Sequence, residues 1–484
     1  MKKIVYIFLS ASVMWSCKKD LTSLNNDPKN PLIVPSYTLF SNAEKQLADQ
    51  LTTTNVNINI FRLLAQHWTE TTYLDESNYN INSRDIPVFW WNPFYRDVIN
   101  NLERAKTLIA TDVLDENGDP DAGRQANEIA MADMLQVYSY YYLVTTFGDI
   151  PYSEALNIDV TQPKYDDAAT IYADLLQRLD ADIAALDENA ESFGSADLIY
   201  GGNVTSWKKF GNSLKIKMGI LIADSDPALA KSTVESAAAG AFTSNDDNAV
   251  FQYLTGPPNT NPAYTDQIQS GRGDFVVTDL FVNTLVELND PRIPAYFTVD
   301  ASGGYTGGVY GEGNDFTELS KPSGYDGGPG VFQIDFPGVI LTYAEVEFYL
   351  AEAAARGYNV GGTVEEHYNA AITASIEEWG GTAQQAATYL AQPAVAYATA
   401  AGDWKQKIGM QEWIAFYNRG YEAWTTWRRL DVPDLVAPPN AFSDIPVRYT
   451  YPVTEGDLNQ ANFKAASEAI GGDKVTTKLW FDIY

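Results

Sequence analysis

Cysteine occurs once in 484 residues and histidine twice. A single thiol excludes internal disulfides, Cys-ligated zinc and iron–sulfur clusters, so the fold has to be held by packing. His67 and His367 stand far apart, in neither HExxH nor HxH spacing, which removes the common zinc-hydrolase layout. Both read as structural, His67 beside Trp68 and His367 on a polar helix face. A G-x-S-x-G elbow, a Walker loop and a dinucleotide-binding G-x-G-x-x-G are also missing. Basic side chains are scarce: 32 Lys and Arg against 63 Asp and Glu give a formal net charge of −31. A field of that sign repels phosphate backbones, so nucleic acid is not an expected partner. Beyond the first 16 residues no apolar run approaches the roughly 18 residues of a membrane span.

The cysteine that is present stands in an informative place. Met1-Lys2-Lys3 is a short basic start, Ile4 to Met14 is mostly apolar, and Trp15-Ser16-Cys17 closes the segment. A cationic start, a brief apolar stretch and a small residue before the cut make a secretory leader. The stretch is well short of the ~20 residues that cross a bilayer, so a leader is preferred to an anchor helix. Cleavage after Ser16 leaves Cys17 first, the arrangement of a bacterial lipoprotein whose thiol receives diacylglycerol. Trp15 is larger than the residue usual at its position. Residues 1–16 are thus expected to be a lipoprotein signal peptide, with Cys17 the lipidated residue.

With 45% hydrophobic and 20% charged residues, the 484-residue chain has an ordinary globular composition. Residues 17–35 are polar and turn-rich around Asn25-Asn26-Asp27-Pro28-Lys29-Asn30-Pro31 and read as a strap, because each step into proline disfavours helix before it. Residues 36–484 show helical periodicity, and one domain is expected. Helices are predicted at Tyr37–Leu51, Val56–Tyr73, Phe94–Ala110, Arg124–Thr146, Ala169–Leu186, Thr205–Ala223 and Trp404–Leu430. Two more carry capping-box spacing, Thr342 with Glu345 and Thr363 with Glu366, and Gly357 suits the left-handed residue ending the first of them. Thr342–Arg356 and Thr363–Glu378 then form an antiparallel pair. Strand signals are short: Val250–Tyr253 and Arg448–Pro452. The fold class is therefore all-α, a tetratricopeptide-like scaffold of helix pairs with long irregular loops and a few short strands. Ten of the 34 glycines fall at 301–330, among Tyr305, Tyr310, Phe316 and Tyr325, marking a Gly/Tyr-rich insertion.

Carboxylates are plentiful, but pairs such as Asp166-Asp167 and Glu365-Glu366 sit where caps and solvated helix faces are expected, so glycoside hydrolysis is the weaker reading. Asp115, Asn117, Asp119 and Asp121 alternate oxygen donors as a calcium site would, yet Gly118 is misplaced for an EF-hand and a solvated turn is preferred. Gly271-Arg272-Gly273-Asp274 reads as a turn. No cofactor is expected. What remains is aromatic side chains: 30 Tyr and 11 Trp, some in stretches rich in polar and turn residues. A flat ring beside Asn, Asp or Arg can stack on the apolar face of a sugar while its neighbours bond the hydroxyls. On that logic Tyr79, Arg84, Trp90, Tyr305, Tyr310 and Tyr325 are the candidate ligand contacts.

Several phrases resemble the SusD/RagB family of outer-membrane nutrient-binding lipoproteins. Asn25 to Pro31 resembles its strap, and Phe147-Gly148-Asp149-Ile150-Pro151-Tyr152 its turn after a tyrosine-rich helix. Thr342 to Ala353 resembles its late helix, while Gln411-Glu412-Trp413-Ile414-Ala415 and Glu422-Ala423-Trp424-Thr425-Thr426-Trp427-Arg428-Arg429 resemble the helix before its C-terminal strap. The resemblance covers essentially the whole chain after the leader and fits best the SusD-like, starch-binding-associated branch. It implies a non-catalytic, surface-exposed outer-membrane lipoprotein, anchored by Cys17, that binds an oligosaccharide, or in some members a peptide. It also implies a partner, a TonB-dependent barrel of the SusC type, over which the lipoprotein closes as a lid. No ligand-contact motif carries over position by position.

Overall fold

A computed structural model describes residues 34–483. The signal peptide, Cys17 and the strap up to residue 33 lie outside the described residues. Ten helices build the scaffold: α1 (Ser36–Thr52), α2 (Asn100–Asp112), α3 (Ala122–Phe147), α4 (Ala168–Ala185), α5 (Val204–Leu221), α6 (Pro227–Ala237), α7 (Tyr343–Ala355), α8 (Val364–Glu378), α9 (Trp404–Ala415) and α10 (Gly420–Leu430). Their starts follow from local sequence. Asp121, Asp167, Asn203 and Asp226 each accept a backbone N–H from the first turn of the helix that follows, filling donors a helix leaves unpaired.

The two predicted capping boxes separate. At α8 the box is complete, with Thr363 accepting from the Glu366 N–H and Glu366 reaching back. At α7 Thr342 accepts from the Glu345 N–H at 3.2 Å, but the Glu345 carboxylate turns inward to Lys217 Nζ at 2.8 Å and to Arg419. Two buried cations without a counter-ion would cost far more than one missing cap bond. Gly357 ends the turn after α7 at φ +79°.

Consecutive helices pack as pairs: α2 on α3, α3 on α4, α5 on α6, α7 on α8, and α9 on α10, while α7 also meets α5 and α9. The apolar stripes merge into one large cluster in which Tyr138, Tyr140, Tyr141 and Tyr142 of α3 are all buried. Their aromatic area is core material, as is Trp413 of α9 and Trp424 of α10.

Three two-stranded antiparallel ribbons lie across this scaffold. They are β1 (Trp68–Glu70) with β5 (Phe275–Val277), β2 (Ile150–Pro151) with β3 (Tyr165–Asp166), and β4 (Ala249–Phe251) with β6 (Gly338–Leu341). β1 corrects the expected Val56–Tyr73 helix. Only Phe61–Leu64 is helical there; Gln66 takes a left-handed φ of +53°, and Trp68 then pairs with Val277. Long-range pairing overrides a local pattern that reads as amphipathic. The Trp404–Leu430 helix is likewise broken, at Asn418 (φ +64°), before Gly420 opens α10. A Cβ on Gly420 would lie 2.2 Å from the Arg62 backbone nitrogen, so the two segments approach too closely for any side chain. Arg448–Pro452 forms no strand; its Tyr449 N–H donates instead to Thr146 O at the end of α3.

The insertion at 301–330 is stitched down rather than loose. Gly308 N–H donates to Val277 O at 2.8 Å, Asp279 N–H to Gly308 O at 2.9 Å, and Phe297 bridges Pro322. Asp300 gathers the Ser302 and Gly304 N–H groups and the Ser302 and Thr306 hydroxyls, and these donors hold its carboxyl down at about 2. A Cβ on Gly307 would sit 2.4 Å from Thr278 backbone, which is why the insertion needs glycine to lie against β5.

Candidate functional site

The β1–β5 ribbon ends at a loop face. Beyond Glu70, Thr71 ties the chain to the Gly271–Asp274 turn: its N–H donates to Asp274 O at 2.9 Å and its hydroxyl to Gly273 O at 2.7 Å. From the other side Asn314 of the insertion donates its backbone N–H to Thr71 O and its Nδ2 to Glu70 O. This three-way seam presents Tyr73, held at a left-handed φ of +58° with 75% of its surface exposed. A bulky residue in that conformation costs free energy and persists only where the surroundings impose it. Here the cost holds a large ring out in water.

Arg272, on the turn that Thr71 ties down, is its charged neighbour. Arg272 Nε donates to Asp274 Oδ2 at 2.6 Å, and this pair raises the guanidinium further. Asp274 Oδ2 also receives Gln267 Nε2 at 3.1 Å, and Gln267 Oε1 takes the Tyr325 hydroxyl at 2.8 Å. Tyr325 sets its edge against Phe316 at 5.0 Å, and Lys321 Nζ lies 5.1 Å from the Phe316 centroid. Fixed rings beside a planar cation, a carboxylate and an amide are the components of a sugar-binding surface, one stacking while the others exchange hydrogen bonds with hydroxyls.

Beneath the face lies a buried carboxylate pair. Glu70 Oε2 accepts from the Ser77 N–H at 2.9 Å, and burial together with Glu76 pushes its carboxyl up to about 9. Glu76 meets Arg84 Nη1 at 3.1 Å. Arg84, half-buried, also reaches Asp75 at 3.4 Å, so its charge is engaged from below.

The other sequence candidates are placed as follows. Tyr325 and Tyr305 are half-buried in the insertion, Tyr325 at the loop face and Tyr305 against Phe297 at 5.8 Å. Tyr79 and Tyr310 are enclosed under it, the Tyr79 hydroxyl accepting from Gln66 Nε2 and the Tyr310 hydroxyl donating to Leu63 O at 2.8 Å. Trp90 is fully buried between Phe61 at 4.7 Å and Phe94 at 5.1 Å, and its ring reaches no surface. Arg272, Asp274 and Gln267 escaped sequence reasoning because the tie between their turn and Thr71 depends on the β1–β5 register, across some 200 residues. Tyr73 stands out in the sequence only as one of several aromatic residues in polar, turn-rich stretches; its left-handed backbone carries no sequence signal.

The remaining polar features are structural. His67 is buried, its Nε2 2.9 Å from Trp413 O, and burial pulls its ring down to about 3, so it is neutral. His367 lies between Glu347 and the Gly361 carbonyl, at 2.7 and 2.8 Å, which together outweigh its burial and raise it. The Asp115 carboxylate accepts the Asn117 and Asp119 N–H groups, as a solvated turn would. Among the described residues no group of three or more His, Cys, Asp or Glu is arranged to hold a metal ion.

Stacked helix pairs carrying long stitched loops define a helical-repeat scaffold with a built loop face. A SusD-like family model described as "Starch-binding associating with outer membrane" matches residues 28–452, and the chain belongs to that family. The same fold is found in a chitin-binding protein at 24% identity, covering 93% of this chain and 100% of that one with a TM-score of 0.80. A chitin-binding SusD homolog from Flavobacterium johnsoniae is also 24% identical, with 92% and 99% coverage and a TM-score of 0.77. A SusD homolog from Bacteroides uniformis reaches 25% identity, 93% and 100% coverage and a TM-score of 0.77. No curated protein sequence matches this chain.

Proposed function

We propose that this protein is a surface-exposed lipoprotein of the outer membrane that captures an oligosaccharide on its loop face and passes it to a TonB-dependent barrel of the SusC type, for which it is the lid. The observation that carries this reading is Tyr73, exposed at a left-handed φ beside the Arg272–Asp274 pair. Membership of an outer-membrane starch-binding family supports the ligand class and the location. Acyl chains on Cys17 would hold the lid beside its barrel at high effective concentration, so contact between the two need not be tight. The candidate contacts are Tyr73, Arg272, Phe316 and Tyr325, with Arg84 and Tyr305 at the margins.

The protein acts by binding, without hydrolysis. The close carboxylate pair near the face, Glu70 and Glu76, is buried under it and cannot flank a glycosidic bond. Calorimetry of the mature protein against glycan and peptide panels tests the ligand class: a glycan response is expected, and peptide binding without one would overturn it. Release of reducing sugar from any polysaccharide by the purified protein would overturn the non-catalytic reading.

A further inference from the structure

The loop that presents Tyr73 leaves β1 after Glu70 and returns at Ser77, and these two residues close it. Glu70 N–H donates to Ser77 Oγ at 3.2 Å, and Ser77 N–H donates to Glu70 Oε2 at 2.9 Å. Both residues are buried. Next to the closure, Asn78 Nδ2 donates to Leu74 O inside the loop and to Gly311 O of the insertion, each at 2.9 Å. The segment 71–76 is thus pinned at its base by one carboxyl group and one hydroxyl.

A carboxyl buried this deeply stays neutral unless a cation pairs with it. Arg84 meets Glu76 and Asp75, not Glu70. Glu76, fully buried at the end of the same loop, stands within hydrogen-bonding reach of Glu70. Arg84 Nη1 lies 3.1 Å from Glu76 Oε1 without aiming a hydrogen bond at it, so both Glu76 oxygens lack a donor. A proton on Glu70 fills that gap: its O–H donates to Glu76 while Oε2 goes on accepting from Ser77. The other titratable groups about the pair oppose ionisation or stand aside. Asp75 adds negative charge beside Glu76, and the Tyr310 hydroxyl from the insertion is already spent on Leu63 O. Strand β5 sets Phe275 opposite Glu70. Were Glu70 to ionise, one arginine would face three carboxylates, and the like charges would push the loop base apart.

We infer that Glu70 is a positioning residue for glycan capture: through its bonds to Ser77 and Glu76 it latches the loop whose Tyr73, on the reading given above, stacks on the sugar. Glu70 itself lies under the face and touches no ligand. Tyr73 holds a backbone conformation that only its surroundings can impose, so a slack loop base frees the ring to leave it. Apparent affinity then falls in proportion to the latched fraction, because only that fraction is ready to bind.

Hydrogen exchange of the 71–77 amides, with calorimetry against maltoheptaose and N-acetylglucosamine hexamer, tests this on the full mature protein. At pH 7 Glu70→Gln keeps an acceptor for Ser77 and an N–H for Glu76, so parent-like loop protection and affinity are expected. Glu70→Ala should speed loop exchange and weaken the glycan about tenfold. Burial and Glu76 push Glu70 up to about 9, so the latch is complete at neutral pH and is lost as pH rises through that value. At pH 9.5 the parent's latched fraction falls to about a quarter, and its affinity should drop about fourfold relative to Glu70→Gln. The inference is overturned if Glu70→Gln loosens the loop as much as Glu70→Ala, or if parent and Glu70→Gln behave alike at both pH values. It also falls if loop exchange follows Glu70 while affinity does not. Should Glu70→Ala fail to fold, the comparison of parent with Glu70→Gln decides. An affinity unchanged in Tyr73→Ala, or binding of neither glycan, would instead refute the loop-face reading, and the capture role with it, while exchange alone still decides the latch.

Discussion

Lys217→Met leaves the junction of α5, α7 and α10 one positive charge short. Lys217 Nζ lies 2.8 Å from Glu345 and 2.6 Å from Glu422, and its side chain is 1% exposed. Arg419 completes the group by meeting Glu345, and lies 3.9 Å from Glu422, so two cations balance two carboxylates. Burial alone would raise Glu345, but Arg419 and Lys217 hold it below the usual carboxylate range. Methionine fills nearly the same volume and removes only the charge. Breaking a buried pair from one side costs about 3–5 kcal/mol. A proton can replace the missing charge, which sets a ceiling: neutralising a carboxylate of ordinary pKa costs roughly 3.7 kcal/mol at pH 7 and roughly 1 kcal/mol at pH 5. The orphaned acid is then a group whose folded pKa is raised, and its penalty grows as pH rises above the unfolded value. Urea unfolding followed by tryptophan fluorescence should show a loss of about 3–4 kcal/mol at pH 7 that shrinks to about 1 kcal/mol at pH 5. A loss under about 1 kcal/mol at pH 7, or one of equal size at both pH values, would refute this reasoning.

Other substitutions probe separate parts of the account. Glu70→Gln keeps an acceptor for the Ser77 N–H and removes an acid whose folded pKa is raised to about 9; the parent loses stability relative to the variant as pH climbs from the unfolded value toward 9, so the variant's Tm advantage should widen over that range. Equal Tm differences at pH 5 and pH 8 would count against a protonated Glu70. Gly420→Ala forces a methyl into the Arg62 backbone and should cost about 2–3 kcal/mol or prevent folding, against a null result if α10 can move away. Cys17→Ala should release the protein from the outer-membrane fraction; full retention would place the anchor elsewhere.

Much of the scaffold is written in local signals. Thr363 with Glu366 and Gly357 after α7 are decided within one or two turns, and these features form where expected. The misread segments share a cause. In Val56–Tyr73 apolar spacing suits a helix, but Trp68 and Glu70 are claimed by Val277 and Phe275, some 200 residues away. At Asn418 the helix stops because Gly420 must pass the Arg62 backbone, a contact equally remote in sequence. The loop face is legible in kind and not in detail. Aromatic content in a glycine-rich stretch pointed toward Tyr325, yet whether a tyrosine faces water is set by packing, as Trp90 and Tyr310 show. Arg272 and Asp274 look like an ordinary turn until Thr71 binds that turn to Tyr73's loop.

The central claim is that the loop face holds a saccharide through an exposed ring. Calorimetry comparing the parent with Tyr73→Ala, using whichever glycan the panel identifies, tests it most directly. Tyr73 is three-quarters exposed, so the variant should unfold close to the parent's temperature while its affinity falls at least about tenfold. Glycan affinity unchanged in Tyr73→Ala, with the fold intact, would contradict the account.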